Sequence, residues 1–268
     1  MYTIKNPKKS LGQNFLVDKN IINKIVEIGK IKKDKTILEI GPGYGSLTDE
    51  IIKRYPKKII AIEKDKKLTL FLKNKFKNYS NIKIINQDFL KIIGKKNLGQ
   101  NIIIFGNLPY NISTKILASL ITLKKWPPWY DLLIFMFQKE VADRILAKYQ
   151  TKDYGRLSIL SNWRLEVKKH FNISKNCFFP RPKVNSTLLS FKPIKNNKFH
   201  LKNPKNLEFV TRILFSNRRK MINKNLSKLF NNKIPINEKL KIDLNKRPEE
   251  LNSEIFYEIS KQYEKLFD

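Results

Sequence analysis

One cysteine, Cys177, and two histidines, His170 and His200, are all that the 268 residues hold of those two types. A lone thiol closes no disulfide within the chain. Cys-based zinc and iron–sulfur sites need several thiolates, and two imidazoles leave little for a His-ligated ion. No metal is expected, and a reducing compartment suits such a chain. Long apolar runs are missing too. LLIFMF at 132–137 is typical of the longest, far short of the ~20 residues that a membrane helix requires. Lys5, Lys8 and Lys9 open the chain with no apolar signal core behind them. A soluble, cytoplasmic protein with no membrane partner is the expectation. Acid is the third scarcity, with 23 Asp and Glu against 55 Lys and Arg and a formal net charge of +32.

What is present suffices to fold. At a typical ~150 residues per domain the length allows about two domains. A content of 41% hydrophobic and 11% aromatic residues places the chain among globular rather than disordered sequences. The excess of base points to a polyanionic partner, because each Lys or Arg set on a phosphate releases a condensed counterion and adds affinity whatever the base sequence. Nucleic acid is the first candidate. Heavy use of Lys, Asn and Ile, as A/T-rich coding produces, would give the same excess on a merely solvated surface, so composition leaves both readings open.

The first part of the chain alternates β-rich runs with helical patterns. Buried strands are predicted at 36–40, 58–62, 82–85 and 101–105, with roughly 20 residues from each to the next, the length of a βαβ crossover. A mostly parallel sheet covered on both faces follows. A fifth strand is predicted at 131–137, a helix at 138–149 and a late strand at 186–191 behind the proline-bounded turn at 180–182. The polar, aperiodic stretch at 192–198 reads as a linker. Beyond it, Val210, Leu214, Met221, Leu226 and Phe230 recur at helical spacing, and Ile255, Ile259, Tyr263 and Leu266 do so behind an Asn252/Ser253 cap. Two domains are expected, an α/β domain over 1–194 and a small basic helical domain over 195–268.

The first strand runs into a glycine-rich turn, EIGPGYGS at 39–46. There an open α/β sheet binds ligands, and glycine lets backbone approach them closely. Ser46 departs from the G-x-G-x-x-G of a dinucleotide cradle, and the G-K-[ST] of a P-loop is absent. Glu63 and Asp88 follow the next two strands. One carboxylate is placed to grip ribose hydroxyls and the other to accept from an adenine amino group. Adenosine without phosphate describes S-adenosylmethionine, with Gly41, Gly43, Glu63 and Asp88 as its candidate ligands.

The fourth strand ends in GNLPY at 106–110. Asn107-Leu-Pro-Tyr110 resembles the Asp/Asn-Pro-Pro-Tyr signature of methyltransferases that act on exocyclic amino groups. The resemblance extends through LGQNFL at 11–16, EIGPG at 39–43, QKEV at 138–141, YGRLS at 154–158, FFPRPKV at 178–184, FSNRRK at 215–220 and RPEEL at 247–251. Over nearly its whole length the chain is similar to the small-subunit ribosomal RNA adenine-N6 dimethyltransferase family.

The resemblance implies a Rossmann-like, class I S-adenosylmethionine-dependent fold and the dimethylation of two adjacent adenosines near the end of 16S rRNA in a pre-assembled small subunit, by a monomer. It assigns acceptor roles to the Asn107 side-chain oxygen and the Leu108 carbonyl, with Pro109 fixing the turn. Tyr110 and Phe178 would close on the two faces of the extruded base. Asn14 and Leu16 would touch the cofactor, as would Asn107, while Arg218, Arg219 and Lys220 would hold RNA phosphates. The alternatives are a methylase of large-subunit rRNA, which shares these motifs, and a non-catalytic assembly factor that uses only the charge. A zinc deaminase is excluded, since neither H-x-E nor P-C-x-x-C is present.

Overall fold

The computed structural model describes Pro7 and residues 12–94, 98–231 and 242–267. Lys5, Lys8, Lys9 and Leu11, the first residue of LGQNFL, lie outside the described residues.

Residue contacts divide the chain into two compact units. The first takes the described residues up to Leu120 together with Pro128–Ala142 and Val167–Pro193. It opens with β1 (Phe15–Leu16) and α1 (Lys19–Ile28), whose N-terminus is capped by the Asp18 carboxylate accepting from Asn20 and Ile21 N–H. There follow β2 (Thr36–Ile40), α2 (Ser46–Ile52), β3 (Lys58–Glu63), α3 (Lys66–Lys75), β4 (Ile82–Asn86), α4 (Phe89–Ile92), β5 (Ile102–Gly106), α5 (Tyr110–Ile121), β6 (Tyr130–Gln138) and α6 (Lys139–Leu146). Across the next helix, α7 (Arg156–Arg164), the strands resume as β7 (Leu165–Ile173), β8 (Phe178–Phe179) and β9 (Ser186–Pro193).

Seven strands form one sheet in the order β4-β3-β2-β5-β6-β9-β7. The Ile-rich runs pair in parallel, aliphatic residues opposite one another, Ile37 between Ile59 and Ile103 and Leu38 between Ile60 and Ile104. This register ends three strands level, since Ile40 lies opposite both Ile62 and Gly106. From β2 the chain proceeds outward through β3 and β4, then returns to place β5 on the other side. The carboxyl ends of β2 and β5 therefore flank the point where strand order reverses, the usual crevice of such sheets. The expected α/β class is the one observed.

Three elements differ from expectation. β7 carries Lys168, Lys169 and His170 among its nine residues; as an edge strand it needs no apolar alternation on its outer side, and its lysines discourage pairing with another chain. β1 and β8 form a two-residue antiparallel ribbon, too short to show a period. The predicted helix over 207–230 is broken into α8 (Lys205–Leu214), a 3₁₀ turn at Phe215–Asn217 and α9 (Asn223–Phe230). The buried Asn225 side chain donates to the Leu214 carbonyl at 3.0 Å, closing the end of α8 that a continuous helix would have satisfied.

The second unit comprises Ile121–Pro127, Asp143–Glu166 and the described residues from Ile194 onward. A single division after residue 194 is thus corrected, because the segment with α7 belongs with the helices that follow. Tyr257 of α10 (Ser253–Phe267) donates to the Ile159 carbonyl of α7 at 2.9 Å. The cap expected for α10 is present, with the Asn252 side chain accepting from Ile255 N–H at 3.1 Å. Buried Arg164 holds this unit together. Its guanidinium lies 3.9 Å from the Trp163 ring centroid and 4.6 Å from that of Trp126, and it donates to the Ile121 and Leu123 carbonyls at 2.9 Å each. The stretch expected as a linker is anchored in the same way, for Asn197 donates to the Trp163 carbonyl and accepts from Phe199 N–H. No described helix is long and apolar enough to cross a membrane.

Candidate active site

The crevice at the carboxyl ends of β2, β3 and β5 is a cleft within the first unit, and with its open mouth it encloses about 1180 Å³, room for a nucleoside-sized ligand. Gly41, Gly43, Asn14, Leu16, Glu63, Asp88 and residues Asn107, Leu108, Pro109 and Tyr110 all line it. Ten sequence positions singled out for chemistry therefore reduce to one place, with Phe178 and the Arg218 cluster as exceptions.

Two glycines shape the turn after β2 for different reasons. Gly43 has φ +59°, and a Cβ there would sit 2.7 Å from the Phe15 ring. Gly41 has φ +68° and, among the described residues, nothing within 4 Å of the position of a Cβ. Gly43 thus lets the chain pack beneath β1, whereas Gly41 leaves open backbone facing the cleft.

Glu63 is only 6% exposed at the end of β3. One carboxylate oxygen accepts from Gly43 N–H at 3.2 Å and the other from Asp65 N–H at 2.8 Å. Burial pushes its pKa up, and these N–H groups act against that rise. A carboxylate has about four lone-pair sites, so Glu63 can still accept from a hydroxyl donor. Asp88 caps α4, accepting from Leu90 N–H at 3.0 Å, and pairs with Lys64 at 3.0 Å. Its partial burial favours the neutral acid, but Lys64 and the Leu90 N–H outweigh this and hold the carboxyl below its ordinary range.

A third carboxylate, Glu39, lines the cleft from the middle of β2 at 1% exposure, taking a 2.6 Å hydrogen bond from Thr48 Oγ1. Burial raises its pKa to about 7. Glu39 has no expected role beyond its place in the EIGPGYGS stretch, although an acid among the buried aliphatic residues of a strand is itself a signal. Three acids on the walls, a glycine turn with no phosphate cradle and acceptors at the ends of β3 and β4 fit S-adenosylmethionine, a sulfonium cation without phosphate.

On the opposite side of the cleft, Asn107 follows β5. Its Nδ2 donates to the Asn14 carbonyl at 2.8 Å, which fixes the orientation of the amide and leaves Oδ1 as the acceptor. The Leu108 side chain is buried over Gly106, where an added Cβ would lie 2.7 Å from Leu108 Cδ2. The Pro109 carbonyl accepts from Ile112 and Ser113 N–H at 3.0 Å, starting α5 immediately after the turn. Tyr110 is tethered through its hydroxyl to buried Ser186 at 2.6 Å, and burial raises its pKa. The phenol stays neutral and its ring is held at the cleft.

Phe178 does not reach this place. It is 4% exposed within the apolar cluster of Leu16, Ile22, Ile25 and Ile173, so its expected position against the base is corrected. The reason is strand parity: Phe178 pairs with Leu16, whose side chain belongs to the core, while the next residue, Phe179, pairs with Phe15 and is 47% exposed. In the second unit, Arg219 and Lys220 are exposed, but Arg218 pairs with Glu249 at 2.7 Å and also donates to the Lys152 carbonyl. Arg218 is committed to structure.

A family model described as ribosomal RNA adenine dimethylase matches residues 4–265. Ribosomal RNA small subunit methyltransferase A of Pelagibacter ubique (strain HTCC1062) is 51% identical over 259 residues, 97% of each chain. The crystal structure of a dimethyladenosine transferase from Plasmodium falciparum superposes with a TM-score of 0.77 at 27% identity, covering 94% of this chain and 98% of that one. That of the 23S rRNA methyltransferase ErmE superposes with a TM-score of 0.66 at 22% identity, covering 93% and 99%, a likeness of fold. With the family model matching residues 4–265, through both units, the chain belongs to the ribosomal RNA adenine dimethylase family.

Proposed function

We propose that this enzyme dimethylates N6 of two adjacent adenosines near the 3′ end of small-subunit (16S) rRNA while the small subunit is being assembled. The observation that carries the reading is the Asn107 amide at the cleft wall, whose Nδ2 donates to the Asn14 carbonyl so that Oδ1 is left as the acceptor. An adenine amino nitrogen is a poor nucleophile because its lone pair is delocalised into the ring. Asn107 Oδ1 and the Leu108 carbonyl, accepting its two hydrogens, draw the nitrogen toward tetrahedral geometry and aim the lone pair. Tyr110 supplies a face on which the extruded base stacks. Glu63 holds the ribose hydroxyls of the cofactor and Asp88 its adenine amino group. Bound S-adenosylmethionine supplies an electrophilic methyl group on a sulfonium.

No histidine lines the cleft, and none is required, since the nitrogen loses its proton after it has become cationic. Alignment and electrostatics then carry the rate. After one transfer a single N–H remains, and a neutral Asn can receive it as it received the first. Exposed Arg219 and Lys220 take rRNA phosphates. The enzyme works as a cytoplasmic monomer, which sedimentation of the free protein checks.

The test is transfer of labelled methyl from S-adenosylmethionine to under-methylated small subunits and, separately, to large-subunit rRNA, with dimethyladenosine read by mass spectrometry. Label on the small subunit alone, abolished by Asn107→Ala, is the expected result. Label on large-subunit rRNA would reassign the substrate, and tight subunit binding without transfer would leave an assembly factor.

A further inference from the structure

The ribbon of β1 and β8 has two unlike faces. Leu16 and Phe178 turn to the core. Phe15 and Phe179, directly opposite one another, share the other face. Phe15 lines the cleft and meets Tyr44 edge-on at 4.8 Å. Phe179 lies one strand further out with 47% of its surface exposed, and Val17, continuing the same face of β1 through a 2.9 Å hydrogen bond from its N–H to the Cys177 carbonyl, is 43% exposed. An apolar strip thus leads out of the cleft onto the surface and ends in the Phe179 ring, half-exposed.

Its surroundings choose the occupant. Arg181 and Lys183 follow within four residues of Phe179, and both are exposed. From Val167 to Pro193, the whole last segment of this unit, the chain holds six Lys and Arg and no acid. Asp18, which follows Val17, is committed to capping α1 and to accepting from the Cys177 thiol at 3.7 Å. A scattered surface aromatic is ordinary. An aromatic beside a catalytic cleft and flanked by exposed cations is the arrangement by which proteins hold single-stranded nucleic acid, base on ring and phosphate on cation. Protein interfaces are depleted in Lys relative to the rest of the surface, so the lysines of this segment speak against a protein partner.

We propose that Phe179 is the stacking platform for the rRNA base adjoining the target adenine, with Arg181 and Lys183 on the flanking phosphates. The proposal rests on the rRNA substrate argued above. It gives Phe179 a positioning role distinct from that of Tyr110: one ring holds the reacting base and the other holds its neighbour. With two adjacent adenosines to modify, a platform for the neighbour sets the register of the strand each time the reacting base is exchanged.

The experiment compares wild type, Phe179→Ala and Phe179→Trp on under-methylated small subunits. It measures kcat and KM, equilibrium binding of the particles, binding of S-adenosylmethionine by calorimetry, and the share of particles with one or both adenosines dimethylated. Base–aromatic stacking of the usual strength predicts that Phe179→Ala raises KM and the particle Kd about 5- to 150-fold. Cofactor binding should stay unchanged, singly modified particles should accumulate, and Phe179→Trp should restore both. Wild-type KM and a full yield of doubly modified particles in Phe179→Ala would overturn the proposal. So would loss of cofactor binding in that variant, which would make Phe179 a support of the ribbon. Should wild type modify large-subunit rRNA instead, the reading of the substrate fails while the same ratios on that RNA decide the platform. Should it transfer no methyl, the binding ratio on small subunits decides it.

Discussion

The sheet end and the helical unit bring distant residues together by opposite means. In the first unit the backbone does the positioning: parallel register ends β2, β3 and β5 level, and Gly41, Glu63 and Asn107 arrive together because each is the next residue or the last of its strand. In the second unit buried polar side chains hold the backbone. Arg164 gathers two carbonyls and two indoles, and the Glu264 carboxylate accepts from Lys202 and Asn203 N–H at 2.7 and 2.6 Å and from the Asn206 amide at 3.2 Å. A ladder distributes its stability over many equivalent bonds. A side-chain staple concentrates it in one residue.

The largest effect that would break this comparison is on catalysis. Asn107→Ala should cut kcat by about 10²- to 10³-fold, the usual cost of removing a positioned transition-state hydrogen-bonding group, with little change in melting temperature. A large loss of stability instead would show that the Asn107–Asn14 bond is a structural staple after all. Next is Arg164→Ala, which leaves two carbonyls and two rings without their cation and should cost about 2–4 kcal/mol in urea unfolding. At a temperature where the variant is folded, its cofactor affinity should match wild type. An unaffected midpoint would refute the staple.

Glu39 sharpens the contrast through pH. Its pKa in the fold, about 7, lies above the ordinary carboxylate value of 4.5, so burial favours the protonated acid. The stabilising contribution is complete below pH ~4.5 and declines as pH rises toward 7. Glu39→Gln should remove that decline, so the difference in stability between variant and wild type should change by up to a few kcal/mol across that window. A difference that stays level from pH 4.5 to 7 would place the charge in water.

The two glycines give the smallest and most selective effect. Gly43→Ala meets the Phe15 ring and should lower both stability and cofactor binding. Gly41→Ala meets nothing among the described residues and pays mainly for its positive φ, about 1 kcal/mol, while a methyl group intrudes on the bound nucleoside. Calorimetry should therefore find Gly41→Ala weakened in cofactor affinity beyond what its melting temperature implies. Equal behaviour of the two variants would mean that the turn acts as a unit.

Much of the first unit was legible because its signals are local. Ile-rich runs at crossover spacing mark the parallel strands, the glycine turn follows the first of them, and Glu63, Asp88 and Asn107 stand where strands end. Level strand ends then make the site a necessary consequence of the topology. The edge strand β7 hid because its outer face needs no apolar residues. Arg164 and Glu264 hid because a buried charge looks like any surface charge until its partners are known.

The sequence by itself determined the class of fold and the place of the glycine turn, Glu63, Asp88 and Asn107 at strand ends, since each depends on residues adjacent in the chain or on the period of a single element. Which of two neighbouring phenylalanines faces solvent was decided only by the tertiary structure. Alternation assigns them to opposite faces, but pairing with Phe15 and Leu16 some 160 residues earlier settles which face is buried. The same holds for Arg218, withdrawn from the RNA-facing set by Glu249, 31 residues away. Contacts of that range leave no periodicity for a sequence to display.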